Sequence, residues 1–565
     1  MTNSTPVIPE MWRVSGRSGI CWTFRSCHNL PGSTRFTFPQ TIPYAPLWAT
    51  LDTTPPTVER TQPKNRASGA LLAGPITADF SEQLDPATVT TSSVQVTGPS
   101  GAIAGAVSLS PDKLTVIFTP TTPFPYTTRY DVTLTTAIKD VAGNALAADH
   151  TWFFRTGKRV AVGWDHNCAR LDDGGLKCWG YNGRGQLGLG DGQNRGDQPN
   201  EMGSNLPRVN LGSQRTVVQV VVGAEHSCAR LDNNKVKCWG GNTSGQLGLG
   251  LGALDSRGDE PGEMGGNLSP VDLGSDSVVV DLAAGSYHTC ARFVNGGVKC
   301  WGNNDFGQLG YGDVQKRGYS PSDMGDNLPY VDLGSGRLAR GISAGAEHTC
   351  ARLDDGTTKC WGYNFSGQLG QGDTNDRGDQ AGEMGDSLLP IELGSGLTVQ
   401  GIESGYGHNC ARFDNGSMKC WGLNNWYQLN TGDANNRGDQ INEMGDFLLP
   451  LYGSGQDVTG LALGGGHTCA SFDGGALACW GLNQDGQLGL GVADQITGGQ
   501  VDIGVGRAVE EISSMGNHTC ARFDNGEVKC WGLNDYGALG YGDSNTRGDD
   551  PGETVGALPA VDIGN

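Results

Sequence analysis

The amino-acid sequence predicts an all-β protein in which a seven-bladed β-propeller follows a β-sandwich domain. A unit containing one His, two Cys and a Trp-Gly pair occurs seven times after residue 157. Glycine supplies 91 of the 565 residues, about twice the ~7% of an average soluble protein, as many tight turns between short strands require. Upstream of the repeats, short β-branched runs alternate with turn residues, and helical periodicity is almost absent throughout.

The charge and hydropathy of the chain exclude two classes of partner. Acidic residues outnumber basic ones by 60 to 39, for a formal net charge of −21. Such a charge favours solubility and repels phosphate backbones, so no nucleic-acid partner is expected. No stretch approaches the ~18 apolar residues of a membrane helix, so no membrane span is expected either.

Residues 1–54 resemble nothing else in the chain. They contain scattered Arg and Trp residues but no apolar run followed by small residues, so no secretory signal is readable. We interpret them as an unstructured leader or a wrongly assigned start. A small disulfide loop between Cys21 and Cys27, the two cysteines outside the repeats, is the alternative.

Residues 55–157 show the alternation expected of a β-sandwich. Strand-like runs lie at 76–81, 94–96, 114–118, 130–134 and 152–154, separated by turn residues. The segment also resembles the bacterial immunoglobulin-like domains of secreted and surface proteins, through the sequences at 55–58, 80–88, 139–144 and 152–157. The resemblance implies an immunoglobulin-like spacer or adhesion module.

Residues 158–565 contain the repeats, whose first cysteines are spaced by 60, 62, 60, 60, 59 and 51 residues. Each unit has four short strand-like pieces, which in unit two lie at 217–222, 227–231, 236–239 and 271–273. One such sheet cannot bury both of its faces, so seven are expected to stack radially into a closed propeller.

The repeat resembles the regulator of chromosome condensation family. Its pattern of Gly-x-x-His, a hairpin and Trp-Gly-x-Asn-x-x-Gly-Gln-Leu-Gly is present in unit two as Gly223, His226 and residues 239–248. Seven copies cover residues 158–565, and the resemblance implies a seven-bladed propeller.

The cysteines of each unit are separated by nine residues, with a turn such as Asp172-Asp173-Gly174 between them. A hairpin folded about that turn sets the two cysteines opposite each other, with Cα atoms about 4.5–5.5 Å apart, so a disulfide is predicted. Reduced, buried cysteines or zinc bound with the histidines are the alternatives. The predicted pairs are Cys168–Cys178, Cys228–Cys238, Cys290–Cys300, Cys350–Cys360, Cys410–Cys420, Cys469–Cys479 and Cys520–Cys530.

Seven disulfides persist only in an oxidising compartment. The sequence therefore predicts a secreted or cell-surface protein, although no signal peptide is readable in this chain. Seven equivalent histidines argue against catalysis, since a reaction needs its base once, and we expect each to make a structural hydrogen bond within its blade. The tryptophan after each second cysteine is expected to pack between blades. The histidines are His166, His226, His288, His348, His408, His467 and His518.

An insertion before the fourth strand, absent from unit six, is expected to form a crown of polar, acidic loops on one face. It contains Arg-Gly-Asp triplets that resemble the integrin-binding motif, although a turn with a local Arg to carboxylate contact is the favoured interpretation. The oxygens of Asp373, Asn375, Asp379 and Glu383 make calcium possible, but their order departs from an EF-hand loop. The triplet residues named as candidate binding residues are Arg195 and Asp197, Arg257 and Asp259, Arg377 and Asp379, Arg437 and Asp439, and Arg547 and Asp549.

Unit five breaks the repeat where Trp426 and Tyr427 interrupt the Gly-Gln-Leu-Gly consensus. Exposed aromatic side chains on a rim are common anchors of protein interfaces, so both are candidate binding residues. Sequence drift, with the rings covering a neighbouring loop, is the alternative.

These observations predict a monomeric, non-enzymatic, extracellular or cell-surface scaffold that binds a protein or glycan through its rim loops. No catalytic residue, metal site or cofactor is predicted, with calcium the one open possibility. The family resemblance implies an alternative, guanine-nucleotide exchange on a small GTPase, and a secreted enzyme inhibitor is a third hypothesis. The sequence identifies neither the ligand nor the rim that binds it.

Overall fold

A computed structural model gives the fold of residues 10–14, 17–23, 26–29, 52–63, 67–70, 75–98, 101–121, 129–156, 159–252, 255–275, 278–453, 456–493 and 498–564. The chain forms two compact units, residues 1–54 and 55–565. In the first, β1 (Glu10–Val14), β2 (Arg17–Thr23) and β3 (Ser26–Asn29) form an antiparallel sheet that sets Cys21 opposite Cys27. Of the remaining residues of the predicted leader, the structure describes 52–54.

The second unit begins with the predicted β-sandwich. One sheet has the order β4-β6-β10-β9 and the other β5-β12-β11-β7-β8. Alternate residues of β6 point into the core, where Ile76, Ala78 and Phe80 pack with Val132 and Phe154 of the facing sheet, as the period of two along a strand requires. The strands are β4 (Val58–Gln62), β5 (Ala67–Ala70), β6 (Ile76–Phe80), β7 (Val94–Gly98), β8 (Gly101–Ala102), β9 (Gly105–Leu109), β10 (Thr115–Pro120), β11 (Arg129–Leu134) and β12 (His150–Thr156).

Seven sheets follow, and they confirm the predicted propeller. In each blade an inner strand pairs with a middle strand, which forms a hairpin with the next. The strands are β13 (Arg159–Val162), β14 (His166–Arg170) and β15 (Leu176–Gly180) in blade one; β16 (Val217–Val222), β17 (His226–Leu231) and β18 (Val236–Gly240) in blade two; β19 (Val279–Ala284), β20 (His288–Phe293) and β21 (Val298–Gly302) in blade three; β22 (Ala339–Ala344), β23 (His348–Leu353) and β24 (Thr358–Gly362) in blade four; β25 (Val399–Ser404), β26 (His408–Phe413) and β27 (Met418–Gly422) in blade five; β28 (Val458–Leu463), β29 (His467–Phe472), β30 (Leu477–Gly481) and β31 (Gly499–Gln500) in blade six; and β32 (Val509–Ser514), β33 (His518–Phe523) and β34 (Val528–Gly532) in blade seven.

The fourth strand is shorter than the sequence predicts. In unit two the segment expected at 271–273 is extended but joins the sheet by one backbone hydrogen bond, from Val271 N to Val236 O at 2.8 Å. A paired fourth strand, β31, occurs in blade six, where the insertion is missing. In the other blades the described residues after the third strand meet the sheet only at isolated points, such as the bridge between Gly240 and Arg257, so three strands dominate these blades.

The ring closes between blades seven and one by the same contacts that join other blades. The indole of Trp179 in blade one donates to the carbonyl of Ala538 in blade seven at 2.9 Å. Val160 and Trp179 share one apolar cluster with Val528 and Leu539. Inner strands of all seven blades line a central cavity of about 280 Å³.

The seven predicted disulfides are present. Each joins directly opposed residues of the middle and third strands, with Cα atoms 4.0–4.1 Å apart, somewhat closer than the sequence-based expectation. All the sulfurs are buried, so the bridges lie inside the blades.

The helical elements of the described residues are six single-turn 3-10 helices, none of them long enough to cross a membrane. They lie at Pro86–Thr88, Gly203–Asn205, Pro321–Asp323, Gly325–Asn327, Gly385–Ser387 and Gly445–Phe447.

Candidate functional site: the rim of blade five

Neighbouring blades meet at an interface that we call a seam. At every seam a set of linked side-chain hydrogen bonds holds the loops of one face in place. The imidazole Nε2 of His166 lies 2.9 Å from the Ser227 hydroxyl of the next blade. That hydroxyl donates to the carbonyl of Gln186 at 3.0 Å, and the Trp239 indole donates to the same carbonyl at 3.0 Å. Because the Ser227 hydroxyl donates its proton to the Gln186 carbonyl, it can only accept from the imidazole. His166 is therefore the donor, through Nε2–H. The predicted bond within a blade is therefore wrong, because the histidine joins two blades.

The histidines have no freedom to act as acids or bases. Burial lowers their pKa to about 3 at five positions and to about 4 at His348 and His518. At five of the seven histidines the glycine three residues earlier packs against the imidazole ring, as at Gly223, where a Cβ would lie 2.3 Å from Cε1 of His226. Met515 occupies this position before His518. The Gly-x-x-His pattern is therefore a packing motif.

The Arg-Gly-Asp triplets lie in the insertions, and their side chains bind within the loop. Arg377 pairs with Asp373 at 2.7 Å and donates to the carbonyls of Asn375 and Asp376. Across the five triplets the arginine side chains are only 18–25% exposed. Arg195, Arg437 and Arg547 pair with Asp191, Asp433 and Asp543 in the same way, whereas Arg257 pairs with Glu263.

The aspartate of each triplet faces a glutamate of its own loop. In blade four the Glu383 carboxylate accepts from the backbone N–H groups of Gly378 and Gln380 at 2.9 and 3.1 Å. Burial and a hydrogen bond from its carboxyl to Asp379 raise the pKa of Glu383. The triplet is thus a closed turn rather than an exposed tip.

Each insertion also packs on the loop of the preceding blade. Gly367 of blade four has φ +75°, and a Cβ there would lie 2.2 Å from the Asp439 nitrogen in the insertion of blade five. A backbone bond from Gly372 N to Gly438 O, 2.9 Å long, joins the same two loops. The glycines of the consensus therefore make room for the next insertion.

Blade six lacks the insertion, and blade five has changed where that insertion would pack. Tyr427, at φ +61°, and Asn430, at φ +55°, replace consensus glycines. A Cβ on Gly432 would meet no atom of the described residues within 4 Å, whereas one on the equivalent Gly372 would contact Gln440 and Ile441. The described residues of blade six therefore leave uncovered a position that the next insertion covers in blade four.

Blade five also exposes large apolar side chains. Ile441, Phe447 and Leu449 are 79%, 72% and 73% exposed, and Trp426 is 40% exposed. We call the first three the rim patch. In blade two the corresponding residues are Pro261, Asn267 and Ser269.

The sequence interpretation names Trp426 and Tyr427 as candidates but does not include the rim patch. Comparison with the other insertions shows the signal at two of the three positions, because Ile441 stands where the others have Pro or Ala, and Phe447 where they have Asn, Ser or Ala. Blade four also has a leucine, Leu389, at the position of Leu449. The calcium hypothesis gains nothing from the geometry, because the insertion residues that the structure describes form no group of three or more convergent metal-binding side chains.

Comparison with known proteins agrees with the fold. The profile of the bacterial Ig-like domain matches residues 52–156. The regulator of chromosome condensation (RCC1) repeat matches 158–186, 217–246, 279–308, 339–368, 399–428 and 509–538, and a second profile of the repeat matches 173–230, 234–292 and 295–352.

Two curated relatives share the repeat region. The ultraviolet-B receptor UVR8 of Arabidopsis thaliana is 31% identical over 337 residues, which are 58% of this chain and 68% of that protein. The E3 ubiquitin-protein ligase HERC2 of Homo sapiens is 27% identical over 333 residues, but the match spans only 6% of its length.

Two solved structures share the fold. Human WBSCR16 has a TM-score of 0.52 at 21% identity, covering 66% of this chain and 94% of its own. Yeast RCC1 (Prp20) bound by Kap60 has a TM-score of 0.52 at 19% identity, covering 70% and 83%. The seven-bladed fold, the hydrogen bonds between neighbouring blades and the matches to the repeat profile agree. This protein therefore belongs to the regulator of chromosome condensation (RCC1) repeat family.

Proposed function

We propose that this protein is a non-enzymatic, extracellular or cell-surface scaffold that binds a partner protein through the rim of blade five. The observation that carries the proposal is the rim patch of Ile441, Phe447 and Leu449, each more than 70% exposed. Large apolar side chains that stay exposed within one loop are unfavourable in water and are typical of interaction surfaces. The Arg-Gly-Asp residues have no part in this proposal, because their side chains are engaged inside their own loops.

The rest of the molecule supports a binding role. The recurring histidines are buried and neutral, which leaves them unsuited to acid–base chemistry. One solved relative is yeast RCC1 with Kap60 bound, so a protein that shares this fold has a protein partner. The immunoglobulin-like domain is proposed as a spacer.

The proposed location follows from the disulfides. Seven buried bridges are stable in an oxidising compartment and rare in the cytosol. Counting thiols in denatured, unreduced protein from its native source tests this, with almost none expected. About fourteen free thiols would contradict an extracellular location and favour the alternative of an intracellular nucleotide-exchange factor.

The rim patch is tested with residues that the chain itself uses at the same positions. The variant Ile441→Ala/Phe447→Asn/Leu449→Ser takes its residues from Ala381, Asn267 and Ser269 of other blades, so the fold should be kept. Burying one such side chain in an interface contributes about 1.5–3 kcal/mol, so losing three should weaken partner binding by at least about tenfold.

Full-length protein and the triple variant serve as parallel baits for the secreted and surface proteins of the native source, with quantitative mass spectrometry as readout. Val505→Ser, which removes another fully exposed apolar side chain, is the control. We expect a partner that is depleted with the triple variant and retained with the control. Equal capture by all three baits would refute the rim patch as the binding surface.

A further inference from the structure

An arginine near the end of the middle strand recurs in six blades, and its surroundings differ from blade to blade. In blade seven it is Arg522, and the inner-strand residue directly opposite is Glu511. Arg522 pairs with Glu511 at 3.5 Å and with Glu510, the extra residue of a β-bulge in the same inner strand, at 2.6 Å. Two inner-strand positions can therefore place a carboxylate on this arginine. The arginines are Arg170, Arg230, Arg292, Arg352, Arg412 and Arg522.

Blade four has the opposite charge pattern at the same two positions. Its arginine is Arg352, the residue directly opposite is Gly341, and the bulge residue is Arg340. A Cβ on Gly341 would have one described atom within 4 Å, the Nε of Arg352 at 3.9 Å. Gly401 repeats this in blade five, where a Cβ would meet only Nη2 of Arg412, at 3.6 Å. The glycines therefore leave space beside the guanidinium groups, where blade seven has a carboxylate.

Neither arginine of blade four has a counter-ion among the described residues. The Arg352 side chain is half-buried and that of Arg340 is exposed, and neither makes a hydrogen bond or ion pair to another described residue. Asp354 and Asp355, which follow Arg352 in its hairpin, pair with Arg337 at 4.0 and 2.8 Å. Two positive charges are thus left uncompensated in one blade.

The positive charges of neighbouring blades act on the same place. Burial lowers the pKa of Arg352, because a guanidinium group removed from water is less stable in its charged form. The nearby charges of Arg292, Arg340 and Arg412 lower this pKa further. In blade three, by contrast, Asp281 pairs with Arg292 at 3.6 Å and acts to raise its pKa against the effect of burial. We call Arg340, Arg352 and Arg412 the arginine cluster.

The arginine cluster lies at the end of the blades opposite to the insertions. Arg352 is four residues along β23 from His348, whose partner Gly362 forms a bridge with Arg377 of the insertion. On the inner strand, Gly341 is followed by Ile342, which lines the central cavity. The cluster is therefore close to the axis of the propeller and separate from the rim patch.

Like charges that are held together and partly out of water are unfavourable, although the chain as a whole has a net charge of −21. Blade seven shows that the fold accepts acids at both inner-strand positions. Guanidinium groups bind phosphate and sulfate through paired N–H donors, and a dianion balances the two uncompensated charges. We propose that the arginine cluster binds a doubly charged oxyanion of the phosphate or sulfate type in the space beside Gly341, as a free ion or as a group carried by a larger molecule. This site is additional to the rim patch, and neither requires the other.

Calorimetry of the full-length protein tests this with sulfate, inorganic phosphate and glucose 6-phosphate, at an ionic strength held constant with sodium chloride. We expect saturable binding of at least one dianion and at least about tenfold weaker binding of acetate. Arg352→Gln should weaken binding by at least about tenfold, whereas Arg507→Gln, which removes an exposed arginine elsewhere in the propeller, should not change it. Tighter binding of inorganic phosphate than of glucose 6-phosphate would identify a free ion, and the reverse order a carried group.

Gly341→Asp gives a second test that does not depend on which dianion is bound. It places a carboxylate where blade three has Asp281, so it should abolish dianion binding. Without sulfate or phosphate it should also melt at a higher temperature than Gly341→Asn, the uncharged control of similar shape. Sulfate should stabilise the unmodified protein but not Gly341→Asp.

The proposal is overturned if no dianion binds saturably, if acetate binds as tightly, or if Arg352→Gln leaves binding unchanged. It is also overturned if Gly341→Asp melts no higher than Gly341→Asn. The triple variant of the rim patch should bind the dianion normally, which separates failure of this site from failure of the protein-binding proposal.

Discussion

Buried lysines show, at the scale of single residues, how closely each insertion is matched to its blade. The Lys237 ammonium donates to the carbonyl of Leu211, which precedes blade two, at 3.0 Å and to that of Gly265 in its own insertion at 2.7 Å. The same pattern holds at Lys299, Lys359 and Lys419. Blade six lacks the insertion and has Ala478 at this position. Lysine is therefore present where there is a loop carbonyl to bind.

Replacing Lys237 with Met should destabilise the protein. The side chain keeps its approximate length, but two buried carbonyls lose a charged donor, which costs about 1–3 kcal/mol for each unsatisfied group. Lys235→Met is the control, because Lys235 is exposed two residues away. Urea denaturation followed by tryptophan fluorescence measures the difference. Equal midpoints for the two variants would contradict the proposed clamp.

The seven seam histidines give a second residue-scale prediction. Because burial lowers their pKa to about 3 or 4, they should stay neutral in the folded protein throughout the physiological range. The chain has nine histidines, so no more than two of them should titrate between pH 5 and 8. Proton NMR of the ring resonances tests this, and titration of three or more would contradict it.

The same shift links stability to pH. A histidine whose folded pKa lies below its unfolded value of ~6.5 contributes fully above pH 6.5 and loses that contribution as the pH falls towards 3. Carboxyl groups with a raised pKa act in the opposite direction. Glu347 is the largest case, because burial raises its pKa to about 7, and smaller upward pKa shifts occur at Asp165, Glu201, Asp259, Asp376, Glu383, Glu443 and Asp485. The seven histidine shifts are larger than these smaller ones. The urea midpoint should therefore be lower at pH 5 than at pH 7.

At the scale of elements, the seam between blades five and six is the irregular one. In the other seams a consensus glycine N–H of one loop donates to a glycine carbonyl of the next insertion, as Gly312 does to Gly378 at 2.9 Å. Blade five keeps the donating glycine as Gly432 but has Tyr427 and Asn430 in place of two consensus glycines, facing a blade without an insertion. The two irregularities are complementary, because the side chains of Tyr427 and Asn430 fit only where the next blade has no insertion.

A loop graft tests this complementarity. Placing residues 373–388 of blade four into the short connection of blade six should destabilise the protein, because the Tyr427 side chain would meet the backbone of the new loop. The same graft combined with Tyr427→Gly, Asn430→Gly and Ala478→Lys should restore or raise the melting temperature. Calorimetry compares the two, and a graft that stabilises without the three substitutions would contradict the account.

The sequence was sufficient to predict the fold of each blade but not the contacts between blades. The spacing of Cys168 and Cys178 about a turn determines a hairpin and its disulfide by local geometry, so the pattern alone predicted both. The partner of His166 lies 61 residues away in the next blade, and no local rule identifies it. The rim patch was missed for a related reason, since Phe447 is unusual only in comparison with the equivalent residues of other units.

At the scale of the whole molecule, the ring closes without borrowing a strand from another part of the chain. Each blade is built from consecutive residues, and β13 pairs with β14 of its own blade. Closure depends on contacts between the last residues and blade one, where the Lys177 ammonium donates to the carbonyls of Ile563 and Gly203 at 2.9 and 2.8 Å. In addition, Gly203 N donates to Asp562 O at 2.8 Å.

Two truncations should therefore differ sharply in their effect on the melting temperature, and the shorter truncation should lower it more. Deleting residues 1–157 removes no strand of any blade, so the propeller should unfold at nearly its original temperature. Deleting residues 560–565 removes Val561 and Ile563 from the cluster at the closing seam and takes the Ile563 carbonyl from the buried Lys177 ammonium. Because removing buried apolar side chains and a charged hydrogen bond costs several kcal/mol, the short deletion should lower the melting temperature by several degrees. Scanning calorimetry of the two proteins decides the matter, and the opposite order of melting temperatures would show that the ring depends on the upstream domains for its closure.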